Sequence, residues 1–87
     1  MRIWFKEWKN NRLIVDYEVK DETVETRTHK VFAALEEACS VLDLSKPIWL
    51  DSTIRDFKRD AKARFYQESF IDEISFDYLE IHVLEED

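Results

Sequence analysis

Aromatic and β-branched residues dominate two stretches near the start of the chain, RIWFKEWK at 2–9 and RLIVDYEVK at 12–20. Residues of these types favour β-strands. Asn10–Asn11 separates the two stretches, and asparagine adopts positive φ more readily than most other residues that carry a Cβ. The pattern therefore predicts a β-hairpin closed by a two-residue turn.

The same turn predicts which residues face one another across the hairpin. It places Trp8 opposite Leu13 and Trp4 opposite Tyr17. Side chains alternate between the two faces of a strand. Apolar residues then lie on both faces, with Val15 and Val19 beside the tryptophans and with Ile3, Phe5 and Ile14 on the other side. Part of each face is therefore expected to be covered.

The spacing of apolar residues changes to a helical period after Thr28. One stripe recurs at three- and four-residue intervals: Val31, Phe32, Leu35, Ala38, Cys39 and Leu42. Thr28 can cap the start of a helix, and Pro47 follows its end, where helices commonly stop. The pattern predicts a helix over residues 29–43 that packs on the hairpin.

A second helix is predicted over roughly residues 52–62. Asp51 or Ser52 can cap its start. Its apolar stripe consists of Ile54, Phe57, Ala61 and Phe65. The preceding Ile48-Trp49-Leu50 is expected to form a short buried strand or an anchor, and residues 62–66 are compatible with either helix or strand.

The last part of the chain predicts one long strand. Residues 67–73 form a connection in which Phe70 and Ile71 are expected to point inward. Over residues 74–86, apolar and polar positions alternate, as in a half-buried strand. The element order is then ββααβ, or ββααββ if 62–66 is a strand. We predict an α+β fold with a mainly antiparallel sheet.

Length and composition place this sequence in a single domain, residues 1–87. Apolar residues make up 45% of the chain, and there is no glycine. Nucleotide-binding and nucleophile-elbow motifs need glycine at fixed positions, so enzymes built on those motifs are excluded. The chain has no run of about 18 apolar residues, so no membrane span is predicted. The charged N-terminus does not resemble a signal peptide, so we expect a cytoplasmic protein.

A basic stretch, RDFKRDAKAR at residues 55–64, stands out in a chain of net charge −7. It holds five basic and two acidic side chains, a net charge of +3. Residues 68–87 hold eight acidic side chains and no lysine or arginine. The basic stretch is expected to balance that acidic segment, within the fold or between copies. A protein partner and a nucleic acid are the alternatives, and a pI near 4.8 disfavours nucleic acid.

Candidate chemistry elsewhere is sparse. Cys39 lies on the apolar stripe of the first helix and is expected to be a buried, inert thiol. His82 and Glu80 share one strand face, but two ligands do not make a metal site. The paired carboxylates are expected to be solvated surface charges. The sequence therefore predicts no catalytic residue, cofactor or metal.

The strings THKVFAALEEAC, PIWL, DFKR and FDYLEIHVLEED together resemble short bacterial proteins that carry no assigned activity. The resemblance extends over most of the chain. It implies a bacterial, cytoplasmic origin and a free-standing domain, and it implies no substrate or catalytic residue.

These observations favour a non-enzymatic domain that acts by protein–protein contact or self-association. The predicted interaction surface has Trp4 and Trp8 as apolar anchors, since tryptophan is enriched at interfaces. Its charged rim consists of Arg55, Lys58, Arg59 and Lys62. Pairing of strand edges is one route to a homodimer. The alternative function is nucleic-acid binding through the basic helix at residues 52–62.

Overall fold

A computed structural model describes all 87 residues and shows the predicted α+β fold, with two helices and four strands in one sheet. The elements in chain order are β1 (Arg2–Lys9), β2 (Arg12–Lys20), α1 (Arg27–Val41), α2 (Asp51–Asp60), β3 (Lys62–Phe65), a 3₁₀ turn (Gln67–Ser69) and β4 (Tyr78–Glu85). The order is thus ββααββ, because residues 62–65 form a strand.

The sheet has the strand order β2-β1-β4-β3, and every neighbouring pair is antiparallel. Both helices cover the same face of this sheet. The core lies between the helices and the sheet. Its fully buried side chains come from β1, α1, β3 and β4, namely Ile3, Phe5, Ala38, Cys39, Phe65, Leu79 and Ile81. The opposite face of the sheet carries no second layer and is called the open face below.

The hairpin forms as predicted, but its register differs from the prediction. Asn10 and Asn11 have φ of 51° and 62°, and Trp8 pairs with Leu13. A β-bulge then adds one residue to β2, so Trp4 pairs with Glu18 and the predicted pairing with Tyr17 is wrong. A one-residue shift moves every later side chain to the other face.

The bulge decides which residues of β2 face the helices. Val19 pairs with Ile3 on the helix-covered face and is 7% exposed, although the simple register places it beside the tryptophans. Val15 pairs with Glu7, which likewise removes it from the tryptophan side. Asp16 and Glu18 take those positions instead.

Helix α1 begins two residues before the predicted start. Thr26 is the N-cap, and its side chain accepts a hydrogen bond from the His29 backbone N–H; the predicted cap, Thr28, lies inside the helix. The predicted apolar stripe faces the core except at Phe32, which is 51% exposed. Lys30 is almost fully buried and its ammonium binds the Asp87 carboxylate.

Helix α2 ends earlier than predicted. Ala61 adopts a left-handed conformation with φ of 54°, and Lys62 begins β3. Leu50 occupies the N-cap position without a side-chain hydrogen bond, so neither Asp51 nor Ser52 caps the helix. Residues 48–50 are an anchor rather than a strand, because Trp49 packs edge-on against core aromatic rings.

The C-terminal strand is shorter than predicted, since β4 begins only at Tyr78. In the preceding connection Phe70 is buried, as expected, but Ile71 is 83% exposed and does not point inward. Neither helix is long and apolar enough to cross a membrane.

Candidate interaction surface on the open face of the sheet

The open face consists of alternate residues from all four strands. Across the sheet from β2 through β1 and β4 to β3, the pairing aligns them in three rows. The charged row is Asp16, Lys6, Glu80 and Arg64; the mixed row is Glu18, Trp4, His82 and Lys62; the apolar row is Leu13, Trp8, Tyr78 and Tyr66. Within these three rows the acidic side chains lie on one outer strand, β2, and the basic side chains on the other, β3; beyond the mixed row, β2 also carries the exposed Lys20, paired with Arg2.

A buried ion pair lies at the centre of the open face. Lys6 Nζ is 2.8 Å from Glu80 Oε1, and the two side chains are only 9% and 6% exposed. Burial opposes ionisation of Glu80, but the hydrogen bond and charge of Lys6 hold the pKa of Glu80 below its ordinary value. Arg64 adds a longer contact of 3.6 Å to the other carboxylate oxygen. The Glu80 carboxylate is therefore held in place by two basic side chains.

Aromatic rings surround this ion pair and are held in place by polar contacts. The Lys6 ammonium lies 4.0 Å from the centre of the Trp4 ring, and Trp4 Nε1 donates to Asp16 at 2.8 Å. The Tyr78 ring lies 5.4 Å from Tyr66 and 4.6 Å from the Arg64 guanidinium. Rings that are fixed in this way lose little conformational entropy when they bind.

Two side chains of the open face have nitrogen atoms without a hydrogen-bond partner. Trp8 Nε1 and His82 Nδ1 are both enclosed and unpartnered. Burial, together with the charges of Lys6 and Lys62, lowers the pKa of His82, so its imidazole is neutral at pH 7. Both nitrogens are covered by neighbouring side chains, so they remain unsatisfied within the fold.

A second candidate surface is a groove of about 250 Å³ between the two helices. Its floor is apolar and includes Trp49, whose ring lies 6.2 Å from that of Phe32. Arg27 and Lys58 line its rim. Arg27 already binds Glu86 at 3.0 Å, so Lys58 is the free cation of this groove.

A third concave region, a polar cleft of about 300 Å³, lies between α2 and β3. Arg59 binds two of the three acidic residues of α2, with Asp56 at 3.2 Å and Asp60 at 2.9 Å. The hydrogen bond from Arg59 lowers the pKa of Asp60, which makes this carboxylate a weaker base. Asp60 is therefore not poised to exchange a proton near neutral pH.

The structure divides the six residues of the predicted interaction surface between two layers. Trp4, Trp8 and Lys62 lie on the open face. Helix α2 carries the other three, Arg55, Lys58 and Arg59, in the layer that covers the opposite side of the sheet. The six residues therefore do not form one continuous patch.

The sequence predicts that the basic stretch at residues 55–64 balances the acidic segment at 68–87, but most of its cations do not pair with that segment. Arg64 alone pairs with the acidic C-terminal segment, through Glu80, whereas Arg59 pairs within its own helix. Arg55, Lys58 and Lys62 make no ion pair. Other basic residues neutralise the C-terminal acids, with Arg2 on Glu85, Arg27 on Glu86 and Lys30 on Asp87.

Sequence reasoning missed Tyr66, Tyr78 and the Lys6–Glu80 pair. Alternation along β1 and β4 places Trp4 with Lys6 and Tyr78 with Glu80. It does not show that β1 and β4 are neighbours, which is what joins the four side chains into one site.

Cys39 is buried, and the histidines do not belong to a metal-binding cluster. Cys39 is 1% exposed, and burial raises the pKa of its thiol to about 11, so the nucleophilic thiolate is scarce at neutral pH. No group of three or more His, Cys, Asp or Glu side chains is arranged to hold a metal ion.

Comparisons with protein-family models, with curated proteins and with solved structures find no match to this chain.

Proposed function

We propose that this chain is a non-enzymatic, cytoplasmic domain that acts by protein–protein contact through the open face of its sheet. One observation carries the proposal: helices cover only one face of the sheet, and the other face presents four aromatic rings around a neutralised ion pair. Tryptophan, tyrosine and arginine are the residues most enriched among those that dominate binding energy.

The exposure of individual side chains supports this surface. Leu13 and Tyr66 are 42% and 41% exposed at the ends of the apolar row, while Trp4, Trp8 and Tyr78 are half-buried. A partner that covers this row removes further apolar area from water, which favours association. The charged outer strands then form the polar rim typical of such interfaces.

The alternative function, nucleic-acid binding through the basic helix, has less support from the contacts. Arg59 is engaged by two carboxylates, and Lys62 lies beyond the helix end. Two unpaired cations, Arg55 and Lys58, are few for a domain of net charge −7, because phosphate binding depends on many such contacts.

A capture experiment with three forms of the tagged protein tests the proposal. The forms are the wild type, the open-face variant Leu13→Ala/Tyr66→Ala, and the control Phe32→Ala. All substituted side chains are 41–51% exposed, so the folds should be retained. We expect the wild type and the control to retain the same protein from a lysate of the source cells, and the open-face variant to lose it.

Other outcomes point elsewhere. If Phe32→Ala alone loses the retained protein, the groove between the helices is the binding surface and the proposal is wrong. If nuclease treatment abolishes retention, the nucleic-acid alternative takes its place. Retention that all three forms share equally also contradicts a role for the open face.

A further inference from the structure

We infer that the partner of the open face is a second copy of this chain, packed face to face about a two-fold axis parallel to the strands. This inference rests on the proposed function and adds the identity of the partner and its orientation. It follows from the order of charges across the sheet, which is self-complementary under this one operation.

The axis reverses the strand order of one copy relative to the other. Strand β2 then lies over β3 of the second copy, and β1 lies over β4. In the charged row, the exposed Asp16 faces Arg64 of the second copy, while the buried Lys6–Glu80 pairs of the two copies, each already neutralised within its own chain, lie opposite each other. Each contact occurs twice because the interface is symmetric.

The other two rows match equally well. In the mixed row, Glu18 faces Lys62 of the second copy, and Trp4 faces its His82. In the apolar row, Trp8 and Tyr78 face each other across the axis, as do Leu13 and Tyr66. No row places like charges together.

The alternative in-plane axis, perpendicular to the strands, gives the opposite result. It lays β2 on β2 and β3 on β3. With that axis between the charged and mixed rows, Asp16 of one copy meets Glu18 of the other, and Lys62 meets Arg64. Like charges held together at an interface are costly, so the charge pattern selects the parallel axis.

The area of the open face determines how tightly the two copies are expected to bind each other. Four strands of four to nine residues, about 4.8 Å apart, give a face of roughly 500 Å² per copy. Two such faces bury about 1,000 Å², the lower limit for a specific interface. We therefore expect a dimer that dissociates on dilution.

Exchanging the charges of Glu18 and Lys62 tests both the partner and the axis. Glu18 is 44% exposed and its only ion pair is a 3.5 Å contact to Arg2, and Lys62 is exposed and makes no ion pair. The two side chains are on outer strands, roughly 14 Å apart within one chain. They can therefore compensate each other only between copies.

The experiment is analytical ultracentrifugation of the wild type, Glu18→Lys, Lys62→Glu and an equimolar mixture of the two variants, from about 1 µM to about 1 mM. We expect the wild type to dimerise and each variant alone to dimerise at least about tenfold more weakly, since two like-charge contacts form in each homodimer. In the mixture both contacts are again between opposite charges, so heterodimers should form with near wild-type affinity. A chain that carries both substitutions should also dimerise with near wild-type affinity. That result would show that neither substitution damages the fold.

Three results overturn the inference. A wild type that stays monomeric throughout excludes the second copy, while retention of another protein by the open face in the capture experiment still supports the proposed function. Variants that both dimerise more tightly indicate the perpendicular axis. Variants that dimerise like the wild type, with no preference in the mixture, place self-association on a different surface.

Discussion

The Lys6–Glu80 pair is the residue-level feature on which the open face depends, and it makes a stability prediction. Glu80→Gln keeps the size of the side chain but leaves the buried Lys6 ammonium without its counter-charge. Loss of one partner of a buried pair costs about 3 kcal/mol. We expect the free energy of unfolding in urea to fall by about that amount.

Two controls separate this charge effect from simple loss of a contact. Glu18→Gln removes an exposed pair with Arg2 and should cost less than about 1 kcal/mol. Replacement of both partners, Lys6→Met with Glu80→Leu, should restore most of the stability, because an apolar pair leaves no buried charge. Equal losses for Glu80→Gln and Glu18→Gln would contradict the buried-pair interpretation.

Glu7 makes a second prediction at this scale, with a pH dependence. It is 8% exposed and makes no ion pair, and burial raises its pKa above the ordinary 4.5. A raised carboxyl pKa destabilises the fold once pH exceeds the value in the unfolded chain. Glu7→Gln should therefore unfold at higher urea concentration than the wild type at pH 7, and the difference should shrink towards pH 3. A difference that is constant over this range would contradict the assignment.

The sequence predicts part of this residue-level picture. Alternation along β1 puts Glu7 on the face of Ile3 and Phe5, and Lys6 on the face of Trp4. It does not show how far each side chain is covered, because cover comes from neighbouring strands and helices. Buried charges are uncommon, so composition alone favours the solvated state for both residues.

Backbone conformation at the end of α2 makes a prediction at the scale of elements. Ala61 has φ of 54°, a left-handed conformation that its Cβ disfavours,. Glycine is the usual residue at such a helix end. Ala61→Gly should raise the free energy of unfolding by about 0.5–1 kcal/mol, because relief of the left-handed strain, about 1–2 kcal/mol, exceeds the roughly 0.5–1 kcal/mol entropic cost of glycine.

The matched control is the same substitution within a helix. Ala33 is exposed in the middle of α1, where Ala33→Gly should lower stability by about 1 kcal/mol. Thermal or urea unfolding of both variants gives the comparison. If both substitutions lower stability, strain at Ala61 is not a significant cost.

Ala61 also explains why the boundary between α2 and β3 was left open by the sequence. A helix that ends at glycine carries a visible stop signal, and this chain has no glycine. The bulge in β2 could not be predicted from the sequence for a related reason, since neither glycine nor proline marks its position. Element types were therefore predictable from periodicity, whereas the register after Trp8 and the helix end at Asp60 were not.

At the scale of the whole molecule, the sequence predicts the class and order of elements but not the composition of the surfaces. The pairings of β1 with β4 and of β4 with β3 join residues 14 or more positions apart, and local periodicity carries no information about them. Those pairings bring Tyr66, Tyr78 and Lys62 to the tryptophans. They also explain why the cations of α2 and the tryptophans lie in different layers.

The three tryptophans report on both layers of the molecule and so provide a final prediction. Trp4 and Trp8 lie on the open face, whereas Trp49 packs between the helices and the sheet, with its ring 4.9 Å from Phe65. In 5-fluorotryptophan-labelled protein, each ring gives its own ¹⁹F resonance, which single Trp→Phe variants assign. On dilution from about 1 mM to about 1 µM, we expect the Trp4 and Trp8 resonances to shift as the dimer dissociates and the Trp49 resonance to stay fixed. The reverse pattern would place the contact at the groove of Phe32 and Ile54, because Trp49 lines that groove, and would leave the rows of the open face without a role in self-association.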